Sequence, residues 1–296
     1  MNADQLLASS PNNHMLQPQR LAFWIFCILL IGGVHTTFNM AKDGWQVMPT
    51  SVMVGLAAWI IYTLPLLWIF KRIGIFQANA LLPFFMAFVW GGLGAVYLAL
   101  PANQAVFGIL AKIAGPEFVQ TWGPAIAGPS NEEPLKLIGV VLLVLIAPGR
   151  FRTISSIMAL GAVVGLGFQV VENYSYTINS AINHPNTDQF EPVVEMLLMR
   201  GLFCGPWSHA AYTALASFGV GYFVTRRNMS LAKRFMVALA SFLLAWTFHA
   251  LWNSPLITSM FEGTFILLAL PIKGVPILLA TLFLWRVARR DGVQTA

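Results

Sequence analysis

Apolar runs long enough to cross a lipid bilayer recur along this chain, and they limit its fold more than any other feature. The hydrocarbon core of a membrane is about 30 Å thick and takes roughly 20 helical residues to span. Backbone groups inside lipid must be hydrogen-bonded within the protein, so such runs fold as helices. The sequence therefore predicts an all-α fold, a polytopic membrane helical bundle. The eight predicted spans are 21–39, 52–70, 80–100, 132–147, 154–178, 206–225, 235–253 and 264–285.

The distribution of charge supports a membrane protein and argues against a nucleic-acid partner. Only 9% of the residues are charged, whereas soluble domains carry about 25%. The net charge of +6 comes from basic residues in short loops beside helix ends, which is the pattern of cytoplasmic loops. This pattern predicts that both termini are cytoplasmic. The basic residues on that side are Arg20, Lys71, Arg72, Arg150, Arg152, Arg226, Arg227, Lys233, Arg234, Arg286, Arg289 and Arg290.

The chain divides into a short tail and one transmembrane domain. Its first residues are polar and lack the basic start and small-residue cleavage site of a signal peptide. We expect a disordered cytoplasmic tail over 1–19 and a single transmembrane domain over 20–296. The ionisable groups within the spans concentrate in 131–253, which we interpret as the functional core.

Two segments are irregular in sequence. Residues 101–130 contain repeated proline and glycine and are predicted to form a loop, either a flap over an outer opening or a plain connector. The last apolar run is interrupted near its middle, which predicts either a broken helix or an interfacial piece before a shorter span. By contrast, Gly161 and Gly165 have the small-xxx-small spacing of closely packed helices.

Four polar clusters occupy similar depths in the predicted bundle. The first cluster, 131–136, contains Glu132 and Glu133, and the second, 168–173, contains Glu172. The third is His209, two residues after Trp207, and the fourth runs from His249 to Asn253. The acids and histidines of these clusters lie 15 to 20 residues from the basic end of their helices, or roughly 22 to 30 Å. Two of the helices run inward and two outward, so polar residues placed independently of one another would lie at different depths in the membrane. One shared, water-accessible site in the outer third of the membrane is the simplest account.

Each cluster also has a structural interpretation. Ser130 and Glu133 match a capping box at the start of a helix, and Glu132 and Lys136 have the spacing of a surface ion pair. Glu172 and His209 would also suit a membrane interface, and His249 and Asn253 would suit a bond to a neighbouring helix. Together, however, these groups suffice to bind a divalent metal or activate a water. A non-enzymatic carrier and a binding or immunity protein stay open as alternatives.

The motifs resemble those of the PrsW family of intramembrane proteases, relatives of the type II CAAX prenyl endopeptidases. The resemblance rests on Glu132-Glu133-x-x-Lys136, Phe168-x-x-x-Glu172-Asn173, His209 and His249-x-x-x-Asn253. Glu172 stands where the CAAX enzymes have histidine, and Lys136 where they have arginine. Both differences point to the PrsW branch.

The resemblance implies hydrolysis of a peptide bond in or near a bacterial inner membrane. The expected partner is a membrane-anchored protein substrate, and PrsW itself is linked to cutting an anti-sigma factor. On this basis Glu132 is the expected general base and Glu133 an orienting group. Glu172, His209 and His249 are expected to hold Zn2+, and Asn253 to donate to the oxyanion. A metal-free mechanism, in which glutamate activates water beside histidine and asparagine, is the alternative.

Overall fold

The computed structural model describes residues 14–75, 81–186, 188–261 and 267–294. Every regular element among them is helical, which confirms the predicted all-α class. The α-helices are α1 Leu21–Val47, α2 Pro49–Arg72, α3 Leu81–Val89, α4 Val96–Ala114, α5 Pro116–Ile146, α6 Ile154–Ile182, α7 Glu191–Met196, α8 His209–Thr225, α9 Leu231–Asn253, α10 Pro255–Thr258 and α11 Ala269–Gln294. Short π-helical turns cover Trp90–Ala95 and Leu197–Phe203, and a 3₁₀ turn covers Gly205–Trp207.

Within the described ranges, six helical segments are long and apolar enough to cross a membrane, so the protein is a multi-pass membrane protein. They are Leu21–Val47, Pro49–Arg72, Leu81–Ala114, Ile154–Ile182, Leu231–Met260 and Ala269–Arg290. The other two predicted spans, 132–147 and 206–225, fall mainly within α5 and α8. Helix α5 carries Glu132, Glu133 and Lys136, and α8, which begins at His209, is 17 residues long.

The prediction of a loop over 101–130 is wrong. This segment belongs to α4 and α5, which form a hairpin that turns at Gly115. Gly115 has φ of +90°, a backbone conformation that glycine adopts without the Cβ clash of other residues. Pro124, Pro129 and Pro134 all lie inside α5. The hairpin therefore connects the predicted third span, 80–100, to the predicted fourth span, 132–147.

Helix α6 forms the centre of the bundle. In the most apolar 18-residue stretch of α6, 89% of the residues are buried, whereas the corresponding share is 11% in α1 and 17% in the spans that contain α9 and α11. The predicted close approach at its glycines is confirmed, because a Cβ on Gly161 would overlap Ser217 and one on Gly165 would overlap the carbonyl oxygen of His209. Contact between the α6 and α8 backbones thus fixes the start of α8, where His209 lies.

The interrupted final run folds differently from its prediction. Residues 264–266 lie outside the described part of the chain, and α11 is helical from Ala269 onward, through Pro271 and Pro276. Lys273 is buried, and its Nζ donates to the carbonyl oxygens of Trp252 and Ser254 at 2.9 and 2.7 Å. The last carbonyls of a helix lack partners within it. Lys273 therefore caps α9 beside Asn253.

The predicted tail over 1–19 falls mostly outside the described residues. Residues 14–19 lie outside the helices, and within them the side chains of Met15 and Gln17 are buried. The side chain of Arg20 then donates to the carbonyl oxygen of Leu145 at 2.9 Å. The start of α1 consequently lies beside the end of α5, as alternating spans require.

Candidate active site

The polar clusters converge on one cavity of about 280 Å³. Four helices contribute its functional groups: α5 carries Glu132, α6 carries Glu172, α8 carries His209 and α9 carries His249. These four side chains are buried, whereas the rim is partly or fully exposed. The rim includes Asn103, Phe107, Tyr176, Arg200, Cys204 and Asn253. The structure thus joins the groups that the depth argument placed together.

The carboxylate of Glu132 lies at the centre of the cluster. Its Oε2 is 3.8 Å from Nδ1 of His209, 3.8 Å from Nε2 of His249 and 3.8 Å from Nζ of Lys136. This oxygen is buried and has no hydrogen-bond partner among the residues that the structure describes. Its other oxygen, Oε1, accepts from Asn103 at 3.0 Å. Glu132 is therefore held by one oxygen while the other faces two imidazoles.

The hydrogen bonds of His249 determine which of its nitrogens carries the proton. Its Nδ1 is 2.8 Å from Oε1 of Glu133. A carboxylate only accepts, so Nδ1 of the neutral ring is the donor and Nε2 keeps a lone pair. That lone pair and the unpaired oxygen of Glu132 are two acceptors at 3.8 Å. Such a pair is satisfied by a cation or a water between them.

His209 has a similar arrangement. Its Nε2 is 3.1 Å from Oε2 of Glu172, and its Nδ1 is 2.9 Å from Nζ of Lys136. The ammonium group of Lys136 only donates, so Nδ1 accepts and Nε2–H donates to Glu172. Each imidazole thus has a carboxylate on one nitrogen and a lone pair on the nitrogen nearer Glu132.

Glu132, His209 and His249 form a group that could hold a metal ion, with one ligand atom from each lying within 4.8 Å of the others. In tetrahedral zinc sites, bonds of about 2.0–2.1 Å place ligand atoms about 3.4 Å apart, and the two oxygen–nitrogen distances of 3.8 Å are close to this value. The carboxylates behind both rings match the partners that metal-binding histidines use. Because Nδ1 of His209 has one lone pair, a metal there would displace Lys136 from it.

Gly128 provides open space beside Glu132 and His249, because it has no side chain. A Cβ at this position would lie 3.0 Å from Nδ2 of Asn253, 3.4 Å from Oε1 of Glu132 and 3.6 Å from Nε2 of His249. Gly128 lies one helical turn before Glu132, so its Cα faces the same cavity. Asn253 also lines the cavity and donates from Nδ2 to the carbonyl oxygen of Pro124 at 3.1 Å. The missing side chain therefore keeps the approach to Glu132 and His249 open.

The capping-box interpretation of Glu133 is wrong. Helix α5 begins at Pro116, so Ser130 lies inside it and accepts a hydrogen bond from Trp246 at 3.2 Å. Glu133 is fully buried and accepts from Lys136 at 2.6 Å as well as from His249. Its partners are thus members of the site rather than a helix terminus. The ion pair of Glu132 and Lys136 is likewise buried, not on the helix surface.

Sequence reasoning missed Arg200 and Asn103, which contact two carboxylates of the site. Arg200 binds Oε2 of Glu172 at 2.6 Å and Oδ1 of Asn173 at 2.7 Å, and its guanidinium lies 3.7 Å from the ring of Tyr176. Asn103 links Glu132 to Asn131. The available signal for Arg200 was its place on the predicted outer side, where acidic residues outnumber basic ones. The loop prediction hid the position of Asn103.

Comparison with known proteins identifies the family. No curated protein and no solved structure matches the chain. A family model described as PrsW family intramembrane metalloprotease matches residues 81–284 and so includes all four helices that supply the acids and histidines of the cavity. This match covers more than half of the chain. The protein therefore belongs to the PrsW family of intramembrane metalloproteases.

Proposed function

We propose that this protein hydrolyses a peptide bond of a membrane-anchored protein, with a zinc ion held by Glu132, His209 and His249. The observation that carries the proposal is the unpaired, buried oxygen of Glu132 facing an imidazole nitrogen of each histidine at 3.8 Å. Two histidines and one glutamate are a known ligand set of zinc peptidases. A zinc ion bound there would polarise the peptide carbonyl and make water nucleophilic near neutral pH.

The charge of the site also favours a divalent cation. Glu132, Glu133 and Glu172 bring three carboxylates, against which Lys136 and Arg200 bring two cations. With both imidazoles neutral, one negative charge remains within a buried cavity. Uncompensated charge is costly away from water, so a bound cation would stabilise the closed arrangement of these helices.

Glu133 and Glu172 orient the two histidines in this proposal. Glu133 holds His249 through Nδ1 and Glu172 holds His209 through Nε2. The sequence suggested Glu172 as the third ligand and Glu132 as the base. We propose the ligand role for Glu132 because Glu172 contacts Nε2 of His209, whereas Nδ1 is the nitrogen that faces Glu132. The pairing of Glu172 with Arg200 further fixes its position.

Asn253 is proposed to donate to the negative oxygen that forms when water attacks the peptide carbonyl. One proton of its Nδ2 is used by Pro124, which leaves the second for the substrate. Fixed donors of this kind supply about 3–4 kcal/mol of transition-state stabilisation. The cap that Lys273 places on the end of α9 keeps the residue in position.

The position of the cavity supports cleavage near the outer face of the membrane. With α5 and α8 counted as spans, the chain crosses eight times and both termini are cytoplasmic. The site then lies towards the extracytoplasmic side, and the bacterial inner membrane is the proposed location. Membrane-anchored proteins with a cleavable segment on that side, anti-sigma factors among them, are the proposed substrates. Family membership favours this enzyme over the carrier and the binding or immunity protein.

Proteolysis in liposomes tests the proposal. Purified protein is reconstituted with a panel of single-span reporter proteins whose outer juxtamembrane segments differ, and products are located by mass spectrometry. We expect cleavage on the outer side that a chelator abolishes and zinc restores. Cleavage that a chelator leaves unchanged, or that occurs on the basic-loop side, would contradict the proposed function.

Substituting Gly128 with alanine is predicted to separate stability from activity. Alanine favours a helix over glycine by about 1 kcal/mol, so thermal unfolding is expected at an equal or higher temperature. The added methyl group would press on Nδ2 of Asn253 at 3.0 Å and touch Oε1 of Glu132 at 3.4 Å, so the cleavage rate is expected to fall by up to about 100-fold. Gly108→Ala is the matched control, because a Cβ there has no atom within 4 Å. Unchanged cleavage by Gly128→Ala would contradict the inference that this position must stay without a side chain.

A further inference from the structure

Tyr212 belongs to the same cavity but has no role in the mechanism above. It lies on α8 one turn after His209 and lines the cavity. Its ring is stacked on that of His249, with centroids 4.8 Å apart and planes 12° from parallel. The whole residue is buried. The stacking explains the aromatic ring but not the hydroxyl group, because phenylalanine would stack equally well.

The hydroxyl of Tyr212 is unpaired. Within the described part of the chain no group accepts or donates a hydrogen bond to it. Its ring contacts those of His209 and His249, the two imidazoles that face Glu132. A buried polar group without a partner is costly and needs an explanation. A partner that arrives with the substrate is such an explanation.

We propose that the hydroxyl of Tyr212 donates a hydrogen bond to the oxyanion of the tetrahedral intermediate during peptide hydrolysis, an inference that rests on the proposed function. When water attacks the peptide carbonyl, the carbonyl oxygen becomes negative and needs hydrogen-bond donors. Asn253 has one proton left for this purpose, and the phenol supplies a second donor. No proton is transferred in this step, so the hydroxyl strengthens an interaction that exists only after attack.

The position of the ring makes the donor rigid. His249 stacks on one face of Tyr212, and the ring of His209 meets it edge-on with centroids 5.9 Å apart. Tyr212 also belongs to a buried apolar cluster that includes Ala245 and Ile277. A donor that is already fixed pays little reorganisation when charge develops, which is how an oxyanion site lowers the barrier. Such a group raises the rate of the chemical step without tightening substrate binding.

Tyr212→Phe tests this inference against a matched control. We expect kcat on the cleaved reporter to fall about 100- to 1,000-fold, with KM, metal content and thermal unfolding unchanged. The affinity for a phosphinic peptide that mimics the tetrahedral oxyanion should fall with kcat. The control is Tyr174→Phe, which also removes a buried, unpaired hydroxyl but from the apolar cluster around Met48 and Trp59. Its kcat is expected to stay at the wild-type value.

The outcomes separate this inference from the function on which it rests. If wild-type protein cleaves the reporters and Tyr212→Phe retains its kcat, the inference is overturned and the proposed function stands. Equal losses in Tyr212→Phe and Tyr174→Phe would also overturn it, since the effect would not depend on the cavity. A wild type that cleaves no reporter would remove the proposed function and this inference together.

Discussion

Glu132→Gln is expected to lose its metal and its protease activity together. The substitution keeps the size of the side chain but removes the negative charge from the group formed with His209 and His249. Loss of a residue that merely orients a ligand already lowers metal affinity by about 10- to 100-fold, so loss of a ligand should exceed this. The measurements are the metal content per purified chain and the rate of reporter cleavage.

Two outcomes would contradict the ligand role of Glu132. If Glu132→Gln keeps its metal but does not cleave, Glu132 is the general base that the sequence suggested. If it keeps both, the catalytic centre lies outside this cluster. Glu117→Gln is the control, because Glu117 is an exposed carboxylate on the same helix, α5. It should match the wild type in metal content and in rate.

Gly165→Ala is expected to weaken the bundle and to displace His209. The added Cβ would overlap the carbonyl oxygen of His209, which belongs to the backbone of α8 rather than to a flexible side chain. Overpacking of this kind costs about 1–3 kcal/mol, more than the helix gains from alanine. Thermal unfolding in detergent should occur at a lower temperature and cleavage should be reduced. The Gly108→Ala control should unfold at or above the wild-type temperature.

An unchanged unfolding temperature in Gly165→Ala would contradict the packing of α6 against α8. A lower temperature with full activity would show that the position of His209 does not depend on this contact. Both readings refer to folded protein, so size-exclusion chromatography should precede each measurement.

The helical class and the convergence of the polar groups could be predicted from sequence because both depend on one coordinate, the distance along each helix. Apolar runs fix which residues lie in the membrane, and the rise per residue fixes the depth of Glu132 and His249. The close contact at Gly161 and Gly165 followed from the absence of a Cβ. These inferences need no knowledge of which helices are neighbours.

The missed features depend on which helices are neighbours and on which face of each helix a side chain lies. The proline pattern predicts a break at Pro124 and Pro129, yet both lie inside α5, which packs against α4. Once that hairpin was missed, Asn103 could not be placed beside Glu132. The contact of Arg200 with Glu172 likewise joins residues 28 positions apart through an irregular turn.

The role of Glu172 shows a further limit of the sequence. Its motif position is compatible with a metal ligand and with a partner that orients a ligand. Which role it takes depends on which nitrogen of His209 it contacts, and the structure shows Nε2. The nitrogen that faces Glu132 is Nδ1. Side-chain geometry of this kind has no signature in residue spacing.

X-ray absorption at the metal edge of the purified wild-type protein tests the central claim most directly. The account predicts zinc bound by nitrogen and oxygen atoms only, at about 2.0–2.2 Å, with the scattering pattern of two imidazoles. Cys204 lines the same cavity, so a sulfur ligand at about 2.3 Å is the informative alternative. A sulfur signal, or a protein that cleaves its reporter without any bound metal, would contradict the site formed by Glu132, His209 and His249.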